Sequence, residues 1–342
     1  MNAAGQEPAH PDIIDVRRRS TATRSQASLQ VAGALALLCA TGTSSAQSQV
    51  TIWGIVDLNV GVLIGSKVKS EQTGTANRIG FKGEEDLGAG WKASFDLEHR
   101  INTDTGSNEG AFGSKSPAPF WSGQSAVGVG GPFGKVTLGR QYSAAVWSQI
   151  GVDPWFWDTV AGSFGTTAGG FANIWYNAAA TYSYDQSGFS FKAQVAQKEK
   201  NAWFGGPTVK TPASLGLGYH GGARNLQFGH ERMADGVAKW TTLSGGYDFG
   251  ILTLRGLLGD GTNPGNQPVA GRYLSASVPF GSNTLHVSWA NTKTAHVSTL
   301  EKVSLGLYHA LSKRTQVYVN VANDSKVAAN KTGYQAGIRH SF

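Results

Sequence analysis

The sequence predicts an all-β fold: a sixteen-stranded antiparallel transmembrane β-barrel. Three observations carry this. The chain from Gln47 onward is a series of two-residue alternations with no amphipathic helix of useful length. Its links alternate short and long, as in barrels with tight turns on one rim and large loops on the other. Its last ten residues, GYQAGIRHSF, put Tyr334, Ala336, Ile338, His340 and Phe342 on one face, and Gly333, Gln335, Gly337, Arg339 and Ser341 on the other. A terminal strand that apolar would be an unprotected edge in a sandwich, whereas a closed barrel has no edge.

The N-terminus reads as an address. Arg17, Arg18, Arg19 and Arg24 precede an apolar core from Val31 to Ala40, and small residues follow to Ala46. That order predicts a secretory signal over residues 1–46, cleaved after Ala46, and a barrel over 47–342. Residues before Val16 do not resemble a signal, so translation is expected to start near Val16 or the leader to be unusually long. Leu38 before Cys39 disfavours a lipoprotein anchor. The apolar consensus expected after paired arginines in twin-Arg export is missing. Cys39 is the only cysteine, so the mature chain can form neither disulfide nor thiolate chemistry. Removing residues 1–46 takes away four Lys/Arg and three Asp/Glu, leaving 25 basic and 19 acidic residues, net +6. No run of about 20 apolar residues occurs, so no helix is expected to span a membrane.

Short links fall at 85–90, 131–134, 185–188, 221–224, 249–250, 280–282 and 312–313, rich in the Gly, Asp, Asn and Ser of tight hairpins. Long links fall at 65–76, 102–122, 143–174, 198–211, 233–238, 259–270, 291–300 and 323–332. Seven turns and eight loops make sixteen strands. The alternation assigns faces. Ile79 and Phe81 oppose Arg78, Gly80 and Lys82. Ala93, Phe95 and Leu97 oppose Lys92, Asp96, Glu98 and Arg100. Phe189, Phe191, Ala193 and Val195 oppose Ser190, Lys192 and Gln194. Charges gathered on one face need water there, so the interior is expected to be a wet lumen. Trp91, Tyr184, Phe189, Phe249, Phe280 and Phe342 at strand ends fit interfacial aromatic girdles.

Three stretches carry a family resemblance: NRIGFKGEEDLGAGWKASFDLEHR (residues 77–100), GPFGKVTLGRQY (131–142) and the terminal GYQAGIRHSF. QVTIWGIVDLNVG (49–61) is similar to the same family's first strand. Together they resemble the general trimeric porins of Gram-negative outer membranes, most like the β-proteobacterial branch. The resemblance implies a homotrimer in outer-membrane lipid, with one pore per subunit narrowed by an inward-folded third loop. It implies a passive diffusion channel for small hydrophilic solutes and ions. It also implies that Phe342 is the assembly signal read by the barrel-assembly machinery. At 296 mature residues the chain is short for the family, so trimmed outer loops are expected.

In such porins wall cations face acids on the inward loop. Arg78 and Arg140 match wall arginines of the family. Lys82 and Arg100 join them by face assignment alone. Arg140 shares the parity of Val136 and Leu138, so a bulge near the strand end must re-aim it, or the match fails. Asp153 and Asp158 are the only acids of the third loop and are expected on the acidic side, with Asp57 facing the lumen by parity. Asp153 precedes Pro154 and could equally cap a turn. Where the family carries an arginine after this loop, the chain reads Ile174-Trp175-Tyr176-Asn177-Ala178. The loop also holds Trp147, Trp155, Phe156, Trp157, Phe164 and Phe171, which either pack it onto the wall or line the pore as a stacking surface. The second possibility describes a substrate-selective channel. Four candidate cations against few acids predict weak anion preference.

Other classes are disfavoured. His99, His220, His230, His286, His309 and His340 lie on predicted strands with no nucleophile or carboxylate at a familiar spacing, so no catalytic residues and no enzyme are expected. No metal-ligand spacing and no cofactor motif occur. The basic residues are dispersed, which argues against nucleic acid. An adhesin or lectin-like protein using the long loops is the remaining reading from another class.

Overall fold

The computed structural model describes residues 49–73, 77–108, 119–201 and 208–342. The predicted signal segment lies outside them. Among the described residues, sixteen long strands form the barrel: β1 (Gln49–Val62), β3 (Arg78–Gly88), β4 (Trp91–Asn102), β6 (Ser125–Gly131), β7 (Gly134–Tyr142), β8 (Trp175–Gln186), β9 (Phe189–Ala196), β10 (Ala213–Gly221), β11 (Arg224–Arg232), β12 (Lys239–Asp248), β13 (Thr253–Thr262), β14 (Pro268–Phe280), β15 (Asn283–Thr294), β16 (Val297–Ala310), β17 (Thr315–Asp324) and β18 (Thr332–Ser341). Two short strands, β2 (Ser70–Thr73) and β5 (Ser107–Asn108), belong to the first and second loops. Each barrel strand pairs antiparallel with its neighbour, and β1 pairs with β18 from Ile55↔Ser341 to Val62↔Tyr334. The sheet therefore closes on itself, and the expected strand number holds.

Closure rests on the terminal residue as well. Phe342 exchanges two backbone hydrogen bonds with Gly54, each 3.1 Å. Its ring lies over Gly54, where a Cβ would approach it to 2.3 Å. The two-residue period sorts the side chains as expected. Val319, Val321, Tyr334 and Ile338 are exposed on the outside, while Tyr318, Asn320 and Gln335 are buried within. Trp91, Phe189, Phe249, Phe280 and Phe342 are exposed at the turn-side strand ends.

The links are short on one rim, as predicted. Ala89 and Ser187 adopt positive φ in two of the tight turns. The opposite rim departs at two places, of which the lesser is the link expected over 259–270, shortened to 263–267 between β13 and β14. A long loop is expected over 291–300, but β15 and β16 run on through it and are joined by Ala295 and His296 alone. Both have positive φ, 49° and 68°, as a two-residue hairpin demands. Thr and Ser side chains in NTKTAHVST continue the strands, and polar composition had read as loop.

The third loop leaves the wall after Tyr142 and returns at Trp175, carrying helices α1 (Val146–Ile150) and α2 (Phe164–Thr167). It folds into the barrel and packs on the inner wall. Val146, Trp157, Phe171 and Ile174 form one apolar cluster with Met233, Trp240 and Val269. Hydrogen bonds fix it along its length. Buried Glu231 accepts from Gln149 at 2.8 Å and from Ser143 and Tyr176 at 3.2 Å. Trp240 Nε1 donates to the Thr167 carbonyl at 3.0 Å, and Trp155 Nε1 to Asn320 at 2.9 Å. The Val160 amide donates to Gln335 at 2.5 Å. Lys302 Nζ donates to the carbonyls of Gly162 and Val160.

Candidate pore constriction

The basic side is built by the part of the wall that the third loop leaves uncovered. Arg78 and Arg100 stand directly opposite each other on β3 and β4. Two cations so placed repel, and Glu98 offsets them. Its carboxylate lies 2.8 Å from Arg100 Nε and 3.6 Å from Arg78, and its side chain is only 1% exposed. The Tyr142 hydroxyl accepts from Arg100 at 2.7 Å and from Arg78 at 3.3 Å and lies 3.4 Å from Glu98. The last residue of β7 thus ties the pair to the base of the third loop.

Arg140 reaches the same place by the irregularity its parity required. The register of β7 with β8 shifts between Gly139 and Gln141. Gly139 has φ +119°, and a Cβ there would lie 2.2 Å from the Ser125 carbonyl. Only glycine fits this bulge. The re-aimed guanidinium donates to the Ser122 carbonyl at 2.6 and 2.9 Å and to Asn177 at 2.5 Å. It lies 5.3 Å from the Trp175 ring centre, and Arg100 lies 4.9 Å from the same ring. Both are within cation–π range. Trp175 therefore stands among the arginines near the position where the family arginine is missing.

Lys82 is not part of this trio. It lies four residues further along β3 toward the turn rim, 5.9 Å from the Trp53 ring that Arg78 approaches at 5.8 Å. It lines a separate recess with Asp96, Lys135, Lys192 and Trp147.

The acids lie deeper than expected. Asp153 takes the capping role of its two readings. Its carboxylate accepts from the amides of Ser163 at 2.7 Å and Trp155 at 3.0 Å, and from the Tyr273 hydroxyl at 3.3 Å. It is buried, and burial pushes its carboxyl above the ordinary range. Asp158 is also buried and accepts from the Thr159 amide at 2.8 Å. Asp57 is buried on β1, accepts from the Tyr318 hydroxyl at 2.5 Å, and stands opposite Arg339 on β18. Asp57, Asp153 and Asp158 line one recess beneath the loop.

Sequence reasoning missed the anchors Glu231, Lys302, Asn320 and Gln335. Alternation shows that such residues face inward. It does not show that a loop comes down to meet them. Among the described residues, His230 and His340 contact threonine hydroxyls, and His286 contacts a serine, with Nδ1 2.9 Å from Ser277 Oγ. Its ring faces Trp155 and Tyr308, not a carboxylate. Among the described residues no cluster of His, Cys, Asp or Glu could hold a metal.

Comparison with known proteins agrees with this architecture. The family model for Gram-negative porins matches residues 33–329. Outer membrane porin protein 32 of Delftia acidovorans is 31% identical over 363 residues, covering 90% of this chain and 98% of its own length. The anion-selective porin from Comamonas acidovorans superposes with a TM-score of 0.73 at 26% identity, covering 86% of this chain and all of that one. The trimer form of OmpT from Vibrio cholerae superposes with a TM-score of 0.63 at 14% identity, covering 86% of this chain and 99% of that one, which speaks to fold alone. A closed sixteen-stranded barrel, an inward third loop and a whole-length sequence match converge on one conclusion: the chain belongs to the Gram-negative porin family, outer-membrane channels rather than enzymes.

Proposed function

We propose that the protein is a passive diffusion channel for small hydrophilic solutes and ions, with weak anion preference, working as a homotrimer. The observation that carries the preference is the arginine trio. Half-buried Arg78 and Arg140 converge with buried Arg100 on the side of the lumen the loop leaves uncovered, while Asp57, Asp153 and Asp158 are all buried and bonded. An ion passing about 5 Å from one guanidinium gains about 3 kcal/mol at an effective dielectric of 20. Three uncompensated guanidiniums would hold an anion too tightly to release it. Conduction needs attraction that admits an ion without trapping it, and Glu98 supplies the offset. The relative whose structure is described as anion-selective supports this sign. Lys82 adds charge on the turn side of the trio.

The homotrimer reading rests on the family and on the exposed apolar outer wall, part of which a neighbouring copy would cover and the rest lipid. Phe342 closing the β1 seam supports its reading as the assembly signal. Liposomes carrying the purified protein should swell in isotonic small sugars, and liposomes that stay shrunken would overturn the channel reading. The detergent-extracted assembly should have three times the mass of one chain; a single-chain mass would overturn the trimer.

The structure also favours a degree of solute selectivity. Most of the third loop's large aromatics pack, but Trp147 and Phe156 stand in the lumen, 45% and 52% exposed.

A further inference from the structure

Phe156 is held in the lumen against two costs. Its ring is exposed to water, and its backbone has φ +52°. Trp157 and Thr159 beside it have φ of +64° and +60°. Bulky residues avoid this region, and such strain persists only where the surroundings over-determine it. They do so here. The Phe156 amide donates to the Asp153 carbonyl at 2.9 Å. The Asp153 carboxylate caps Trp155 and Ser163, and the Trp155 ring nitrogen is tied to Asn320. Trp155 and Trp157 are buried on either side. The loop tip is thus built to present one ring.

The ring faces a recess of about 430 Å³ on the turn side of the loop, a size in the ~300–1,000 Å³ range of small-molecule sites. The opposite wall supplies Arg255, Arg314 and Arg339, with Lys313 at the turn. Asp57, Asp153 and Asp158 share the recess, with Asp57 opposite Arg339, but all three are buried and hydrogen-bonded, whereas Lys313 and Arg314 are exposed and Arg255 and Arg339 half-buried, so the groups nearest solvent are cationic.

We propose that this recess is a binding subsite for aromatic carboxylates. The solute's ring packs on Phe156 and its carboxylate faces the guanidiniums of Arg314 and Arg339. An aromatic face beside fixed cations selects an anion with a flat apolar body over a small hydrated one. The subsite would let the channel concentrate such solutes below the arginine trio. It rests on the channel reading above and adds a substrate class to it.

Single channels in planar bilayers test it, with benzoate and acetate as probes in a KCl background. Benzoate should reduce the KCl current in a concentration-dependent way, and acetate at the same concentrations should not. Phe156→Ala should raise the half-blocking benzoate concentration about fivefold, the loss expected for one aromatic contact. Arg339→Gln should weaken the block similarly. Should the alanine variant fail to insert, Phe156→Leu keeps apolar bulk without the flat ring and should also weaken it. Equal block by acetate and benzoate, or undiminished block in the Phe156 variants, would overturn the subsite. A channel that conducts KCl normally but ignores benzoate counts against the subsite alone. Absence of any KCl conductance counts against the channel reading itself.

Discussion

Arg78 and Arg100 face each other across one strand pair, and Glu98 is what makes the pairing tolerable. Their inward direction was legible from alternation with Ile79, Phe81 and Leu97, because parity is a local property. Glu98 as their partner was not, since parity gives a face but no contact. Arg78→Glu exchanges a cation for an anion at the narrowing and should lower the chloride-to-potassium permeability ratio by about twofold or more. Lys69→Glu, on the first outer loop, should barely change it at physiological salt, where charges more than ~8 Å apart in solvent are screened. Glu98→Gln removes the offset while keeping the shape. It should raise anion preference and lower anion conductance at low salt, because ions then dwell longer; unchanged values would show that Glu98 only holds the arginines in place. Asp153 could not be assigned from sequence, because Asp before Pro suits a turn and a pore lining alike. Its buried bonds decide for the turn. Asp153→Ala should leave two amides and one hydroxyl without their acceptor, each costing about 1–3 kcal/mol, and should show as a noisier open-channel current.

The bulge in β7 decides where Arg140 points, and the sequence held its signal in the Gly139–Arg140 pair. Parity alone turned Arg140 toward lipid, since a bulge breaks the period on which parity depends. Gly139→Ala places a Cβ against the Ser125 carbonyl in a backbone conformation that alanine resists. It should reduce anion preference as Arg140→Gln does, with the added cost of a less stable barrel seen as a lower unfolding temperature. Strand count and faces were legible because each strand repeats the same two-residue rule. The link between β15 and β16 was misread because Thr and Ser serve strands and loops equally. The third loop's landing along the wall from β10 to β18 was illegible because it joins residues far apart in sequence, such as Gln149 with Glu231. The faces can be checked directly. Phe95→Cys and Phe191→Cys should react with lipid-soluble but not water-soluble thiol reagents, and equal aqueous labelling of both would contradict the wall assignment.

At the scale of the whole molecule, a closed sheet removes every edge except the seam between β1 and β18. Phe342 contributes two backbone bonds and a ring to that seam. Deleting Phe342 should lower the yield of assembled trimer in the membrane without reducing export, and a normal yield would contradict its role in assembly. The loop divides the lumen unevenly. It lines the wall from β10 to β18 with packed side chains and leaves the arginine-bearing wall open to passing solutes. Net charge does not decide selectivity; the charges that face the narrowest water do, because they act on an ion with little screening. Reversal potential across a planar bilayer in a KCl gradient reads that local balance in one number. The geometry predicts a potential displaced toward the chloride equilibrium value. A potential displaced toward the potassium value would contradict the assignment of the arginine trio as the element that sets selectivity.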